Sequence, residues 1–141
     1  MANFEKAFAK TIKAEGGYVN NPNDKGGETY MGITRKNHPK LKMWKLIDEL
    51  KNILTIKDLN ATLKRNEDVQ NEIKSAYKIN YWNPIKLDIV YSQRVANQFF
   101  DISVNCGVVA AIKAMQRVAG VKETGRMNAQ TIDYYAKKHR K

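Results

Sequence analysis

The chain has 141 residues, the usual length of one domain. A composition of 43% hydrophobic and 28% charged residues excludes a disordered domain, and the single cysteine, Cys106, excludes an internal disulfide and any multi-cysteine metal site. Lys plus Arg number 25 against 14 for Asp plus Glu, so the net charge is +11 and the surface should attract polyanions such as nucleic acid, anionic membrane or anionic wall polymers.

Near the N-terminus Glu5, Lys6, Lys10 and Lys13 break up any signal-peptide core, and no stretch approaches the ~18 apolar residues of a membrane span. The expectation is cytoplasmic synthesis without a signal peptide. Phe4, Phe8 and Ile12 recur every four residues with Ala7 and Ala14 beside them, which predicts an amphipathic helix opened by Asn3 and ended by Gly16 and Gly17. Residues 16–32 then hold five of the eight glycines, with Pro22 and Asp24, and read as a long structured loop with a small hairpin around residues 24–27. Loops of this length inside compact domains are usually functional.

Helical texture returns with the stripe Leu41, Trp44, Ile47, Leu50 and Leu54. Thr55 with Asp58 resembles a capping box opening a short helix through Leu59 and Leu63. Asn66 opens a longer helix through Val69, Ile73, Ala76 and Tyr77, closed by Asn83 and Pro84. Ser92 starts another, burying Val95, Phe99 and Ile102 and ending at Gly107. Two more cover about 108–118, before Gly120, and 129–137, after Asn128, followed by a basic tail. The fold class is mostly α with one glycine-rich excursion.

Glu15 stands at the last turn of the first helix. The negative end of the helix dipole disfavours a carboxylate there and pushes its pKa up, as a general acid requires. Asp24 follows nine residues later and Thr29 five after that. An acid, a carboxylate and a hydroxyl on one loop suit the holding of a water against a glycosidic bond, with acid and base ~6.5–9.5 Å apart in an inverting enzyme. A solvated helix-end glutamate, an Asx turn at Asp24 and a plain strand residue at Thr29 are the competing readings.

Glu15, Gly16, Gly17, Tyr18, Val19, Asn20, Asn21 and Pro22, then Asp24, Gly26, Gly27, Thr29, Gly32, Ile33 and Thr34, resemble the N-terminal signature of glycoside hydrolase family 108. Residues 77–82, and Val95, Ala96, Phe100, Asp101, Asn105 and Gly107, are similar to the family's next two segments. That family consists of N-acetylmuramidases, often phage or prophage endolysins. The resemblance implies a lysozyme-like helical fold, α+β by classification. It also implies hydrolysis of the MurNAc-GlcNAc β-1,4 bond of peptidoglycan, with Glu15 as catalytic acid. The order Glu, Asp, Thr is similar to that of phage-type lysozymes, whose second spacing is one residue longer. By that analogy Asp24 and Thr29 orient the attacking water.

Met115, Gln116, Gly120, Gly125 and Thr131 resemble a small helical peptidoglycan-binding segment, although Thr124 stands where an aspartate is usual. The expected division is a catalytic region, 1–94, and a wall-binding-like segment, 95–141, packed as one unit. Tyr18 and Tyr30 are candidate platforms for pyranose rings. Asp101 and Asn105 share a helix face and either form a buried hydrogen-bonded pair or contact substrate. Cys106, before Gly107 in apolar company, reads as a buried inert thiol. Arg35, Lys36, Lys40, Lys42 and Lys45 form a basic run, either a solvated face or an attraction to wall polymers. No metal or cofactor is expected. The partners expected are glycan strands and anionic wall polymers, not nucleic acid, and the protein is expected to act as a monomer in the periplasm or wall after release. A lytic transglycosylase, an inactive wall-binding module and a basic nucleic-acid-binding domain are the alternatives.

Overall fold

Asn3 opens the first helix, α1 (Phe4–Ile12), its Oδ1 accepting from the Lys6 N–H at 3.1 Å. The computed structural model of the chain describes residues 1–12, 16–21, 23 and 27–138. These fall into two units, one of Met1–Lys13 with Ala76–Lys141 and the other Ala14–Ser75.

In the first unit α1 buries Phe4, Ala7, Phe8 and Thr11, the spacing of one helix face. The helix α4 (Glu67–Tyr77), whose last two residues belong here, runs on as a π turn at Lys78–Trp82 and single 3₁₀ turns at Asn83–Ile85 and Leu87–Ile89. The expected helix end at Asn83 and Pro84 is thus approached through a widened turn. Trp82 is fully buried there, edge-on to Phe4 and Phe100 with centroids 5.4 and 5.7 Å away. Its Nε1–H donates to Asp88 Oδ1 at 2.7 Å.

Ser92 caps α5 (Gln93–Cys106) by accepting from Val95 N–H. Phe99 and Phe100 of α5 are buried, and Ser103 Oγ donates to the Tyr81 carbonyl at 2.8 Å. Cys106 is exposed, a correction to the expected buried thiol: it is the last residue of α5, beyond the stripe Ala96, Phe99, Phe100 and Ser103. Gly107 leads into α6 (Val108–Ala119), which ends at Gly120, and Asn128 caps α7 (Ala129–Ala136). Between α6 and α7 the fully buried Gln116 holds the connecting loop. Its Nε2 donates to Thr124 Oγ1, the Arg126 carbonyl and Thr131 Oγ1, and its Oε1 accepts from Gly125 N–H.

The second unit contains a three-stranded antiparallel sheet, β1 (Val19–Asn20), β2 (Glu28–Tyr30) and β3 (Ile33–Thr34), in that order. Where a loop or a small hairpin was expected there are two successive hairpins. The second turns on Met31 and Gly32, whose φ values of 49° and 81° are both positive, as a type I′ hairpin turn requires. Helices α2 (Met43–Leu50) and α3 (Ile56–Arg65) and most of α4 complete the unit. Thr55 accepts from Asp58 N–H and Asn66 from Val69 N–H, so the local caps set both helix starts. Glu72 reaches from α4 to the start of α2, its carboxylate accepting from Lys42 and Met43 N–H at 2.7 and 2.8 Å. Trp44, Ile47, Leu59, Leu63 and Ile73 are almost wholly buried.

Candidate active site

Strand pairing decides which way Thr29 looks. It lies opposite Val19 on one side and Thr34 on the other. Side chains alternate along a strand, so these three share one face and Glu28 and Tyr30 take the other. Tyr30 is 2% exposed and its cross-strand partner Ile33 is 1% exposed, whereas Val19 is 52% exposed. Thr29 therefore stands on the open face of the sheet, half-buried. Glu15 and Asp24 lie outside the described residues.

The opposite face carries a charge cluster. Glu28 accepts from Tyr18 Oη at 2.6 Å, Arg35 Nη1 at 3.0 Å and Lys51 Nζ at 3.2 Å. Arg35 also grips Asp48 of α2 with both terminal nitrogens, at 2.7 and 2.8 Å, and lies 5.6 Å over the Trp44 ring. Arg35 is therefore engaged, and is no longer a free member of the basic run it heads.

Burial alone would raise the Glu28 carboxyl, but hydrogen bonds from Tyr18, Lys51 and Arg35 outweigh it and hold it below the usual carboxylate range. The bond from Arg35 likewise holds Asp48 down, at about 2. Burial, and then the hydrogen bond to Glu28, pushes the Tyr18 phenol up. A carboxylate with three donors around it is a poor proton donor, so Glu28 suits a clamp rather than general acid work.

This clamp joins the residue before β1 to β2 and α2. A second tie comes from Asn60 of α3, whose Oδ1 accepts from Tyr18 N–H at 2.8 Å. Gly17 passes so close that a Cβ there would lie 2.6 Å from Asn60 Oδ1. Glu28, Asp48, Lys51 and Asn60 escaped the sequence reading. Only the adjacency of Glu28 to Thr29 could have pointed to any of them.

Tyr18 and Tyr30 are buried, and both hydroxyls are engaged; Tyr30 Oη accepts from Gln70 Nε2 at 3.1 Å. Asp101 and Asn105 lie on α5 in the first unit, where Asn105 Nδ2 donates to the Asp101 carbonyl and to Oδ1 at 2.9 and 3.2 Å. Both are exposed, which removes the alternative of a buried pair. Among the described residues no three His, Cys, Asp or Glu side chains gather as metal ligands would.

A mostly helical chain with a small antiparallel sheet carrying the threonine of a Glu, Asp, Thr series has the α+β architecture of lysozyme-like glycoside hydrolases. The model of the family described as Glycosyl hydrolase 108 matches residues 8–107, and the chain belongs to that family. It is therefore a glycoside hydrolase, and the family's substrate is peptidoglycan. Among solved structures the chain is similar to SagA of Brucella abortus, with 28% identity and a TM-score of 0.62 over 94% of this chain and 67% of that one. No curated protein sequence matches it. No helix among the described residues is long and apolar enough to cross a membrane.

Proposed function

We propose that the enzyme is an N-acetylmuramidase that cleaves the MurNAc-GlcNAc β-1,4 bond with inversion. Glu15 protonates the leaving glycosidic oxygen, while the Asp24 carboxylate takes the proton of the attacking water and Thr29 helps to orient it. The supporting observation is the placement of Thr29 on the open face of a sheet whose other face is clamped by Glu28. A hydroxyl on so short a strand keeps its direction only if the strand cannot twist, and the clamp supplies that rigidity. Tyr18 and Tyr30 hold the strands from beneath and offer the glycan at most their ring edges. Asp101 and Asn105 are exposed polar contacts for sugar hydroxyls, and the C-terminal helices are a wall-binding segment. Excess positive charge draws the protein, as a monomer, to anionic wall polymers. It acts on the wall after release from the cytoplasm, as an endolysin does.

Product analysis tests this reading. Purified peptidoglycan digested by the wild type should yield reducing muramic acid ends by mass spectrometry, and Glu15→Gln should yield none. Asp24→Asn should reduce turnover by about 10²–10⁴ with binding retained. Anhydromuramic ends would make the enzyme a lytic transglycosylase, for which a water-orienting Asp24 has no use.

A further inference from the structure

The first unit carries a recess that the catalytic reading leaves unused. Val90, Tyr91, Val95, Val118 and Tyr134 form its walls, and its volume of about 490 Å³ falls in the ~300–1,000 Å³ range of small-ligand sites. Tyr91 is 48% exposed and Val118 63%, so apolar surface faces solvent at the recess. Arg94, Lys137 and Lys138 complete the lining, and no acidic residue contributes to it. None of the three cations makes an ion pair among the described residues.

Two main-chain N–H groups at the recess are already spent within the fold. Tyr91 N–H donates to the Tyr135 carbonyl at 2.8 Å, and Val95 N–H donates to Ser92 Oγ at 3.2 Å. Peptide binding along a groove draws much of its strength from main-chain hydrogen bonds. An alkyl chain needs none and gains by leaving water. A flat membrane surface fits a protruding apolar patch better than a concave one.

We propose that this recess binds a single-chain anionic amphiphile. Its alkyl chain lies against the valines and tyrosine rings, and its carboxylate or phosphate head is met by Arg94, Lys137 and Lys138.

The test is an NMR titration of the ¹⁵N-labelled full chain with decanoate, decyl phosphate and decanol below their micelle concentrations. Saturable shifts confined to residues 90–95, 118 and 134–138 are expected, with decanol about tenfold weaker than either anion. Tighter binding of decanoate would point to free fatty acids as the source, and tighter binding of decyl phosphate to phospholipid heads. Val118→Glu, at a position 63% exposed, should abolish these shifts while the amide resonances of the rest of the chain keep their wild-type positions, which shows the fold intact. Lys137→Ala with Lys138→Ala should weaken the anions about tenfold and spare decanol. Shifts spread over the whole basic surface, or decanol as tight as the anions, would overturn the proposal. So would saturation of the same residues by the peptide Glu-Glu-Leu-Leu-Glu-Glu without a response to decanoate.

Discussion

Tyr18 donates its hydroxyl hydrogen bond to Oε2 of Glu28 at 2.6 Å, linking the residue before β1 to the first residue of β2. The contact joins the two ends of the segment that holds Asp24. Hydrogen bonds to ionised acceptors contribute about 1.5–3 kcal/mol, so Tyr18→Phe should destabilise the protein by an amount in that range. Glu28→Ala should cost more, since it removes the acceptor of three donors at once and leaves Asp48 alone to pair with both Arg35 and Lys51. A double-mutant cycle by urea denaturation should give a coupling of about 1 kcal/mol or more. Strict additivity would mean that the short contact contributes nothing of its own.

Gly17→Ala puts a methyl where the Asn60 amide already sits. The amide must move, and its bond to Tyr18 N–H breaks with it. A loss of about 1–3 kcal/mol is expected, together with reduced hydrolysis, because Gly17 lies two residues after Glu15. Asn60→Ala removes the obstacle. In that background Gly17→Ala should cost roughly half as much or less. Equal costs in both backgrounds would show that the collision is not the cause.

Acid should undo the clamp. Glu28 and Asp48 both titrate lower when folded, so the unfolded chain binds more protons than the native one in acid. Their contribution is complete above the ordinary carboxylate values of 4.5 and 3.8, and it fades as pH falls, with Asp48 protonating at about 2. The Asp48 side chain is 40% exposed and the Glu28 side chain 15%, so solvent screens the first more and the larger part belongs to Glu28. Urea midpoints of the wild type and of Glu28→Gln with Asp48→Asn should differ most near pH 6 and converge near pH 2. A gap that stayed constant across this range would place the stabilisation elsewhere.

Local chemistry made the helices legible. Thr55, Asn66, Ser92 and Asn128 each cap through an N–H three residues on, an interaction that needs no knowledge of the fold. The sheet was harder to read, because strands of two or three residues are too short to display alternation, and the second hairpin places Met31 at a positive φ that side chains usually avoid. The π turn stayed hidden because a helical pattern does not announce an added residue per turn. The clamp could not be read at all. Its partners stand 7, 10, 13 and 23 residues apart and meet only once α2 has packed beside β2. Cys106 was misjudged from its apolar neighbours, since the last residue of a helix need not follow the buried stripe.

Gln116 offers the sharpest test of the C-terminal helices. Its amide is fully buried and makes four hydrogen bonds, to Thr124, Gly125, Arg126 and Thr131, which cover the whole turn between α6 and α7. Gln116→Leu keeps the volume but leaves the Gly125 N–H and the Arg126 carbonyl without that partner. The Arg126 carbonyl still accepts from Thr124 Oγ1 at 3.1 Å, so the buried Gly125 N–H is the group left unpaired and a loss of about 1–3 kcal/mol is expected. Gln116→Glu should be no milder, because a buried carboxylate would face the Arg126 carbonyl with two acceptors opposed. Hydrogen exchange should locate the damage. Amides of residues 121–131 should lose protection in Gln116→Leu, while those of α2 and α3 in the second unit keep theirs. Uniform loss across both units would instead mean that the C-terminal helices unfold only with the rest of the chain, and that the turn has no stability of its own to lose.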